Sequence, residues 1–535
     1  MTFLKKHFDF LLLAIVIGGF LLVAGQRLGT VPVPDTDESY MLQASYEMLY
    51  RGNLGWPLLR LLGGDIDTNL HSLMPLHFVL QTGFLKVFGW GLLQGRVFNL
   101  IMSALVLVML YLIARKLFDW RAGLTAVLLI VFDVTFLQRS RYLRNDYGAA
   151  MFALLAFYLY EKAEERNGWR WFVGCGLAAG AAVMTHTSAL YMVLAIPVLM
   201  VLRRGWRVLK TGRLYQYALG VFAVSAYEII YDLIDYKNVI LQNRGDKRHF
   251  GLLSEMGWWR NIKHEPRRYY RWYDGGSMYP QVPRTLLHLF QLLAFAGVCY
   301  LIVRLFVHLK RGNSINEPRV RVLVVTAIAV GFLAVIAGQK SIYYMAHLAP
   351  WFALCASVLV ADTLNVIRQG HATGVGLWKL PKFAFNAAAG LLIVAALGAA
   401  WLGFKQTRNY LHAVKSANGA AFDDFKTAIR SFVPEGVCPI AVREPVLWLA
   451  FPEHDLCFAS IQKRTRKAAD IDGKEFVMIV AKQNAQYWVE EIAKTNHHFL
   501  GSMIGTPYGS YEMYYTGTDP RWQALEPREY KFPGR

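Results

Sequence analysis

The chain has 535 residues, 55% of them hydrophobic and 14% aromatic, and a formal net charge of +20. So apolar a composition over this length excludes a soluble domain and points to a polytopic membrane protein. The basic residues cluster between apolar runs, as the positive-inside rule requires, so the charge is no footprint of nucleic acid. The chain has no P-loop, no GxGxxG after a strand and no metal-ligand spacing of Cys and His.

Lys5 and Lys6 precede an apolar run reaching about Val23, long enough to span and lacking a good cleavage site. It reads as an uncleaved anchor with its N-terminus in the cytoplasm. A long first outer loop follows, from about 30 to 93. It opens with Pro34-Asp35-Thr36-Asp37-Glu38-Ser39-Tyr40-Met41, in which Asp37 sits where a helix N-cap belongs. Glu38 falls in the first turn, where the helix dipole favours an anion. Met41, Ala44, Ser45, Met48 and Leu49 share one face up to Gly52, which predicts an amphipathic helix lying on the membrane. Beyond His71, the stretch 73–88 is apolar but short and holds His77, Gln81 and Lys86. It reads as an interfacial or tilted helix.

Further spans are expected near 94–114, 121–138, 145–160, 169–185, 187–202, 214–234, 284–308, 319–338, 342–367 and 383–404, about eleven with the anchor. Inside loops then carry Arg115-Lys116, Lys162 with Arg166 and Arg170, the basic runs 203–213 and 310–321, and Lys379 with Lys382. The exception is 235–283, rich in Arg, Lys, Trp and Tyr yet outside. Such a loop suits a surface lying on anionic head groups or gripping an anionic ligand. The odd span count leaves the tail from about 405 outside. There 422–432 and 483–495 read as helices, and 437–442, 476–481 and 511–516 as strands, which makes a small α/β domain. Cys175, Cys299 and Cys355 lie in apolar segments. Cys438 and Cys457 lie in the tail and are expected to form a disulfide, as an oxidising compartment allows.

Four polar clusters fall at one level of the outer face. The first is the acidic start of the amphipathic helix. The second is Gln138-Arg139-Ser140-Arg141-Tyr142-Leu143-Arg144-Asn145-Asp146, where outward arginines break the charge rule and offer bidentate donors to a phosphate. Asp146 would orient one of them. Asp133, within an apolar segment, calls for a partner or a role. The third is Lys340-Ser341-Ile342-Tyr343-Tyr344, followed by His347, and the fourth is Thr185-His186-Thr187-Ser188.

On these residues the chain resembles the polyprenyl-phosphate-dependent membrane glycosyltransferases of the C superfamily. Protein O-mannosyltransferases and lipid A aminoarabinose transferases are the members it resembles. The resemblance rests on Asp37-Glu38 with Tyr40 after it, on His71, and on the run Ser140 to Asp146, and it covers about the first 200 residues by motif. In place of the paired prolines that often follow the loop histidine the chain has Ser72-Leu73-Met74-Pro75, and His186 stands where some relatives have lysine. The C-terminal half carries no acceptor motif.

The resemblance implies an α-helical polytopic protein with a transmembrane glycosyltransferase domain (1–404) and an extracytoplasmic C-terminal α/β domain (405–535). It implies a polyprenyl-phosphate-sugar donor, an envelope lipid, glycan or protein as acceptor, and a bacterial inner membrane location with the active site outside. In chemical terms a carboxylate among Asp37, Glu38 and Asp35 takes the acceptor proton, Asp37 first. Arg141, with Arg144, Lys340 and Arg139, holds the departing phosphate. Asp146, His71, Tyr40, His186, Tyr343 and Tyr344 support them. Direct displacement would invert the anomeric centre. No cofactor is required; a divalent metal held by Asp35, Asp37 and Glu38 is a less favoured alternative. The competing class is a transporter or flippase for an anionic lipid or lipid-linked sugar, which leaves the acidic helix start and the appended domain without a purpose.

Overall fold

The computed structural model describes residues 2–62, 65–71, 73–244, 257–273, 289–310, 317–337, 340–369, scattered positions from 390 to 405, 407–417, 421–442, 445–450, 459–461, 475–484 and 497–532. Among them, seven helices are long and apolar enough to cross a membrane: His7–Ala24, Leu92–Leu117, Thr187–Lys210, Gly212–Ile234, Phe290–Val307, Pro318–Ile336 and Ile342–Asn365. Each corresponds to a span expected from hydropathy. Two more expected spans appear as Asp146–Arg166 (α7) and Trp169–Thr185 (α8), the first with charged ends and the second 17 residues long. The expected span 121–138 is broken at Asp133 into Trp120–Val131 (α5) and Val134–Arg139 (α6). The break has a local cause, since Asp133 caps α6 by accepting the Thr135 amide at 3.1 Å. The expected span 383–404 falls largely outside the described residues.

Small residues let the helices of this bundle approach closely. A Cβ on Gly176 of α8 would lie 2.0 Å from the Tyr217 carbonyl of the helix Gly212–Ile234 (α10), and one on Gly220 would lie 2.2 Å from Val173 O. Only glycine fits at that crossing, the small-residue packing typical of membrane helices.

The first loop carries Thr36–Tyr50 (α2) and Leu76–Phe88 (α3), the latter 13 residues long and thus short for a span, as expected. The helix α2 ends at Tyr50, and Gly52 takes φ +72°, a conformation that suits glycine at a helix terminus. Its start differs from expectation: Asp35, not Asp37, is the N-cap residue. This puts Asp37 and Glu38 in the first turn, where the dipole still favours both acids. The aromatic basic loop forms Gly257–His264 (α12) and Pro266–Tyr273 (α13). Trp258, Trp259 and Tyr270 are exposed on these helices, while Asn261, Arg268 and Trp272 are buried.

Among the described residues the tail forms a six-stranded sheet. Its strands are Cys438–Val442 (β1), Ala459–Ile461 (β2), Phe476–Ala481 (β3), His497–Thr506 (β4), Gly509–Thr516 (β5) and Arg528–Lys531 (β6), in the order β2-β1-β3-β5-β4-β6. β1 is parallel to both β2 and β3, whereas β5 runs antiparallel to β3 and β4. The helix Ala421–Arg430 accompanies it, matching the expected helix near 422–432. The expected helix 483–495 falls mostly outside the described residues. Cys438 is disulfide-bonded and Cys175, Cys299 and Cys355 are free. Cys457, its expected partner, lies outside the described residues.

One apolar core fills the bundle. A second joins the first loop to the tail domain, bringing Met41, Leu42, Trp56 and Phe78 together with Phe425, Trp448, Met503 and Tyr511. Trp448 meets Trp90 at 6.0 Å and Tyr46 at 6.1 Å between ring centroids, both edge-on. The tail domain is therefore packed onto α2, the helix whose first turn carries the acids.

Candidate active site

The acids at the start of α2 meet the loop between α6 and α7, but each acid does a different job. Glu38 is wholly buried. Its carboxylate accepts Arg96 Nε at 2.8 Å and Nη2 at 2.7 Å, the Leu143 amide at 2.8 Å and the Asp35 amide at 3.0 Å. Four donors fill its acceptor positions, which leaves it no free site for a proton from an acceptor hydroxyl. Glu38 thus ties three segments together: its own helix, the loop at 143, and Leu92–Leu117 (α4), which carries Arg96. Sequence reasoning passed over Arg96. Its signal was an arginine near the outer end of an apolar span, against the charge rule.

Asp37 is half-buried, with 42% of its side chain accessible, and it is ion-paired to Arg144 through Nη1. Arg144 Nε in turn donates to Asp146 Oδ2 at 2.8 Å. The ring of Tyr343 lies against the same guanidinium, 3.6 Å from its centre, and Arg139 stacks on that ring at 4.3 Å. The Tyr343 hydroxyl donates to Asp35 Oδ2 at 2.7 Å. Burial first, and then the neighbouring Asp37 charge, push the Asp35 carboxyl above the usual aspartate range, while the tyrosine bond pulls the other way. Asp35, Asp37, Arg139, Arg144, Asp146 and Tyr343 therefore form one connected group.

Other expected residues lie apart from this group. Arg141 is buried and clamps the chain after the anchor, donating to Ala24 O at 2.9 Å, Gln26 O at 2.7 Å and Val31 O at 2.6 Å. Those bonds turn it away from a ligand and into the backbone of the first loop. Lys340 is also buried, 2.8 Å from Glu265 and 3.0 Å from Ala334 O; burial lowers its pKa, against the pull of Glu265. His71 faces Asp232 and Asp235 at 3.0 Å through its two ring nitrogens and stacks on Tyr231 at 4.5 Å. Tyr40 packs on Trp56. Tyr344 meets His186 edge-on at 5.7 Å and lies under Arg268. Asp133 finds its partner in Trp272, whose indole donates at 3.1 Å.

Behind Arg144, Asp146 Oδ1 lies 3.8 Å from His186 Nε2 and 3.6 Å from His347 Nε2. One ligand atom from each of these three residues lies within 4.8 Å of the others, close enough to hold a cation. His186 Nδ1, however, accepts the Ser188 amide at 3.0 Å, which keeps the ring proton on Nε2, the atom facing Asp146. That tautomer suits a hydrogen-bond donor rather than a metal ligand. Asp65, His71 and Asp235 are equally close, but both His71 nitrogens already face carboxylates. The metal alternative through Asp35, Asp37 and Glu38 meets a saturated Glu38.

Residues 71–231 match the family described as Dolichyl-phosphate-mannose-protein mannosyltransferase. No curated protein matches the sequence as a relative. Among solved structures, ArnT from Cupriavidus metallidurans bound to undecaprenyl phosphate is similar, with a TM-score of 0.62 and 13% identity over 95% of this chain and 98% of that one. The oligosaccharyltransferase of Archaeoglobus fulgidus in its apo form is similar too, with a TM-score of 0.58 and 15% identity over 97% of this chain and 76% of that one. The archaeal oligosaccharyltransferase AglB, in complex with an inhibitory peptide and a dolichol-phosphate, gives a TM-score of 0.54 at 15% identity over 96% and 75%. At such identities the likeness speaks for the fold. The chain shares the fold of these structures, and its residues 71–231, which include the run Ser140 to Asp146, match the mannosyltransferase family.

Proposed function

We propose that this protein is a glycosyltransferase that moves a sugar from a polyprenyl-phosphate-linked donor to an acceptor hydroxyl at the outer face of the membrane. The observation that carries the reading is the juxtaposition of the accessible Asp37 carboxylate with Arg144, stacked on Tyr343 beside Arg139. A base and a phosphate-binding cation then line one site, the base for the acceptor hydroxyl and the cation for the leaving phosphate on the other side of the sugar. The similar structures hold undecaprenyl phosphate and dolichol-phosphate, which supports the same class of donor here.

In this reading Asp37 takes the proton of the acceptor hydroxyl. The hydroxyl oxygen bonds to the anomeric carbon from the face opposite the lipid phosphate, and the anomeric carbon–oxygen bond breaks with its electron pair going to the phosphate. Arg144 and Arg139 neutralise that departing charge, which makes it a better leaving group. Attack from the opposite face inverts the anomeric configuration. Asp35, held by Tyr343, sets the position of the acidic turn. Arg141 and Lys340 drop from phosphate ligands to structural ties, because their donors already serve backbone carbonyls and Glu265. No metal is required by this scheme. The location that fits best is a bacterial inner membrane with α2 and the tail domain on the periplasmic side, as the charge distribution of the loops suggests.

The test is transfer in detergent from a labelled polyprenyl-phosphate sugar to membrane extract, with wild type and Asp37→Asn, and mass spectrometry of envelope glycolipids and glycoproteins with and without the protein. Loss of a sugar-bearing product together with loss of turnover in Asp37→Asn is expected. Unchanged envelope glycans and no transfer from any lipid-phosphate sugar would overturn the reading.

A further inference from the structure

Arg144 is held from two sides by buried groups of the site. Asp146, with 2% of its side chain exposed, holds Nε from behind, and the Tyr343 ring covers one face of the guanidinium plane at 3.6 Å. The remaining partner, Asp37 at Nη1, is the accessible one, with 42% of its side chain exposed against 12% for Arg144. The edge of the guanidinium that Asp146 and the ring leave open is met at Nη1 by a carboxylate carried by the protein itself. A phosphate monoanion or diester has the same hydrogen-bonding pattern, with a fork of oxygens able to accept from Arg.

We infer that Asp37 occupies on Arg144 the position that the donor phosphate takes, so that arrival of the donor displaces Asp37 and frees it to act as base. The inference rests on the proposed function and adds an order to it: donor first, deprotonation after. The physical reason is that a carboxylate oxygen engaged by a guanidinium is not open to the hydroxyl of an acceptor. While the site is empty, Asp37 is occupied and the attacking group cannot be activated. Once phosphate takes Arg144, Asp37 is released and its oxygens are open to the acceptor hydroxyl. Asp35, bonded to Tyr343, is not part of the exchange. Because the latch competes with the ligand, it lowers the apparent donor affinity by the fraction of time Arg144 is engaged.

The test is binding of polyprenyl phosphate, without sugar, to purified full-length protein in detergent, for wild type, Asp37→Asn, Asp37→Ala, Asp35→Asn and Arg144→Ala, with thermal unfolding as a check on folding. The expected result is that both Asp37 variants bind the lipid phosphate more tightly than wild type, by about two- to fivefold, the scale of a partly exposed ion pair. Asp35→Asn should bind as wild type and Arg144→Ala should bind weakly. If Asp37→Ala binds no more tightly than wild type while Arg144→Ala is weak, the latch is wrong and the phosphate site survives. If Asp35→Asn tightens binding as much as Asp37→Ala, the gain is a general charge effect and the latch is again wrong. If Arg144→Ala binds like wild type, the phosphate assignment itself fails.

Discussion

The hydroxyl of Tyr343 lies 2.7 Å from Asp35 Oδ2, joining residues 308 positions apart. Its ring simultaneously backs Arg139 and Arg144. One tyrosine therefore aligns the acidic turn of α2 with the cations of the loop between α6 and α7.

Tyr343→Phe keeps the ring under the two arginines and removes only the bond to Asp35. Loss of one hydrogen bond to a charged group is worth about 1.5–3 kcal/mol, or roughly 10- to 150-fold if all of it is felt in the reaction. Turnover is expected to fall within that range while polyprenyl-phosphate affinity stays near wild type. The pH behaviour supplies a second reading. Asp35 is raised in the folded state by burial and by Asp37, so the folded protein holds its proton more tightly than the unfolded chain. That stabilisation is fully present below the unfolded value, about 3.9, and is lost as pH rises through the raised folded value. The tyrosine bond lowers the carboxyl, so its removal extends this decline to higher pH, and Asp35→Asn abolishes it. Thermal unfolding from pH 4 to 7 checks both, and parallel curves for all three proteins would refute the account.

Glu38→Gln should act on the fold before it acts on catalysis. The change removes the charge opposite Arg96, whose guanidinium is wholly buried, and leaves a cation without compensation. Breaking a buried pair on one side costs about 3–5 kcal/mol. A lower unfolding temperature and poor recovery of folded protein are expected for Glu38→Gln but not for Asp37→Asn. Equal stability of the two variants would mean that the pair contributes little.

Much of this arrangement was legible in advance, and the misses have physical causes. Hydropathy reads spans well because a membrane helix must satisfy its backbone internally and face lipid over about 20 residues. The acidic helix start was visible from its cap and helix-dipole positions, and the arginine loop as a departure from the charge rule. What a sequence does not carry is the direction of a side chain. Arg141 and Arg144 are equivalent as symbols, yet one turns into the carbonyls of Ala24, Gln26 and Val31 and the other toward Asp37. Lys340 read as an outward cation because its partner, Glu265, sits 75 positions earlier in a loop with no periodic pattern. The N-cap shifted from Asp37 to Asp35 because both are good caps, and the backbone conformation at Asp35, with φ −97° and ψ 156°, decides between them.

Arg141 and Arg144 are separable by experiment. Arg141→Lys loses the fork that serves three carbonyls, and the expected effect is a lower unfolding temperature with polyprenyl-phosphate affinity retained in the folded fraction. Arg144→Lys should leave folding closer to wild type and weaken lipid-phosphate binding by about tenfold or more, because a point charge cannot reproduce bidentate contact. The reverse pattern would return the phosphate role to Arg141.

The tail domain should be needed for the order of the acidic turn. Trp448 is fully buried against Tyr46 and Trp90, so it joins the domain to α2 and to the segment leading into α4. The Tyr508 hydroxyl adds a bond to Pro34 O at 3.2 Å, immediately before Asp35. Trp448→Ala removes a large side chain from this joint, and a buried Trp→Ala change costs about 3–5 kcal/mol when the cavity cannot collapse. Tyr508→Phe removes only the bond to Pro34 and should cost about 1 kcal/mol or less in stability. If the domain merely covers the first loop, Trp448→Ala lowers stability and leaves turnover per folded molecule unchanged. If it holds the turn that carries Asp35 and Asp37, both variants lower turnover per folded molecule, Trp448→Ala the more, while Arg144 keeps its grip on polyprenyl phosphate. The second pattern is the expected one, because Pro34 is bonded to the domain and is next in sequence to Asp35, the residue that caps α2. Limited proteolysis near residues 30–36 gives the structural counterpart, with faster cleavage in both variants. Cleavage and turnover identical to wild type in Tyr508→Phe would show that the bond to Pro34 carries no part of the positioning.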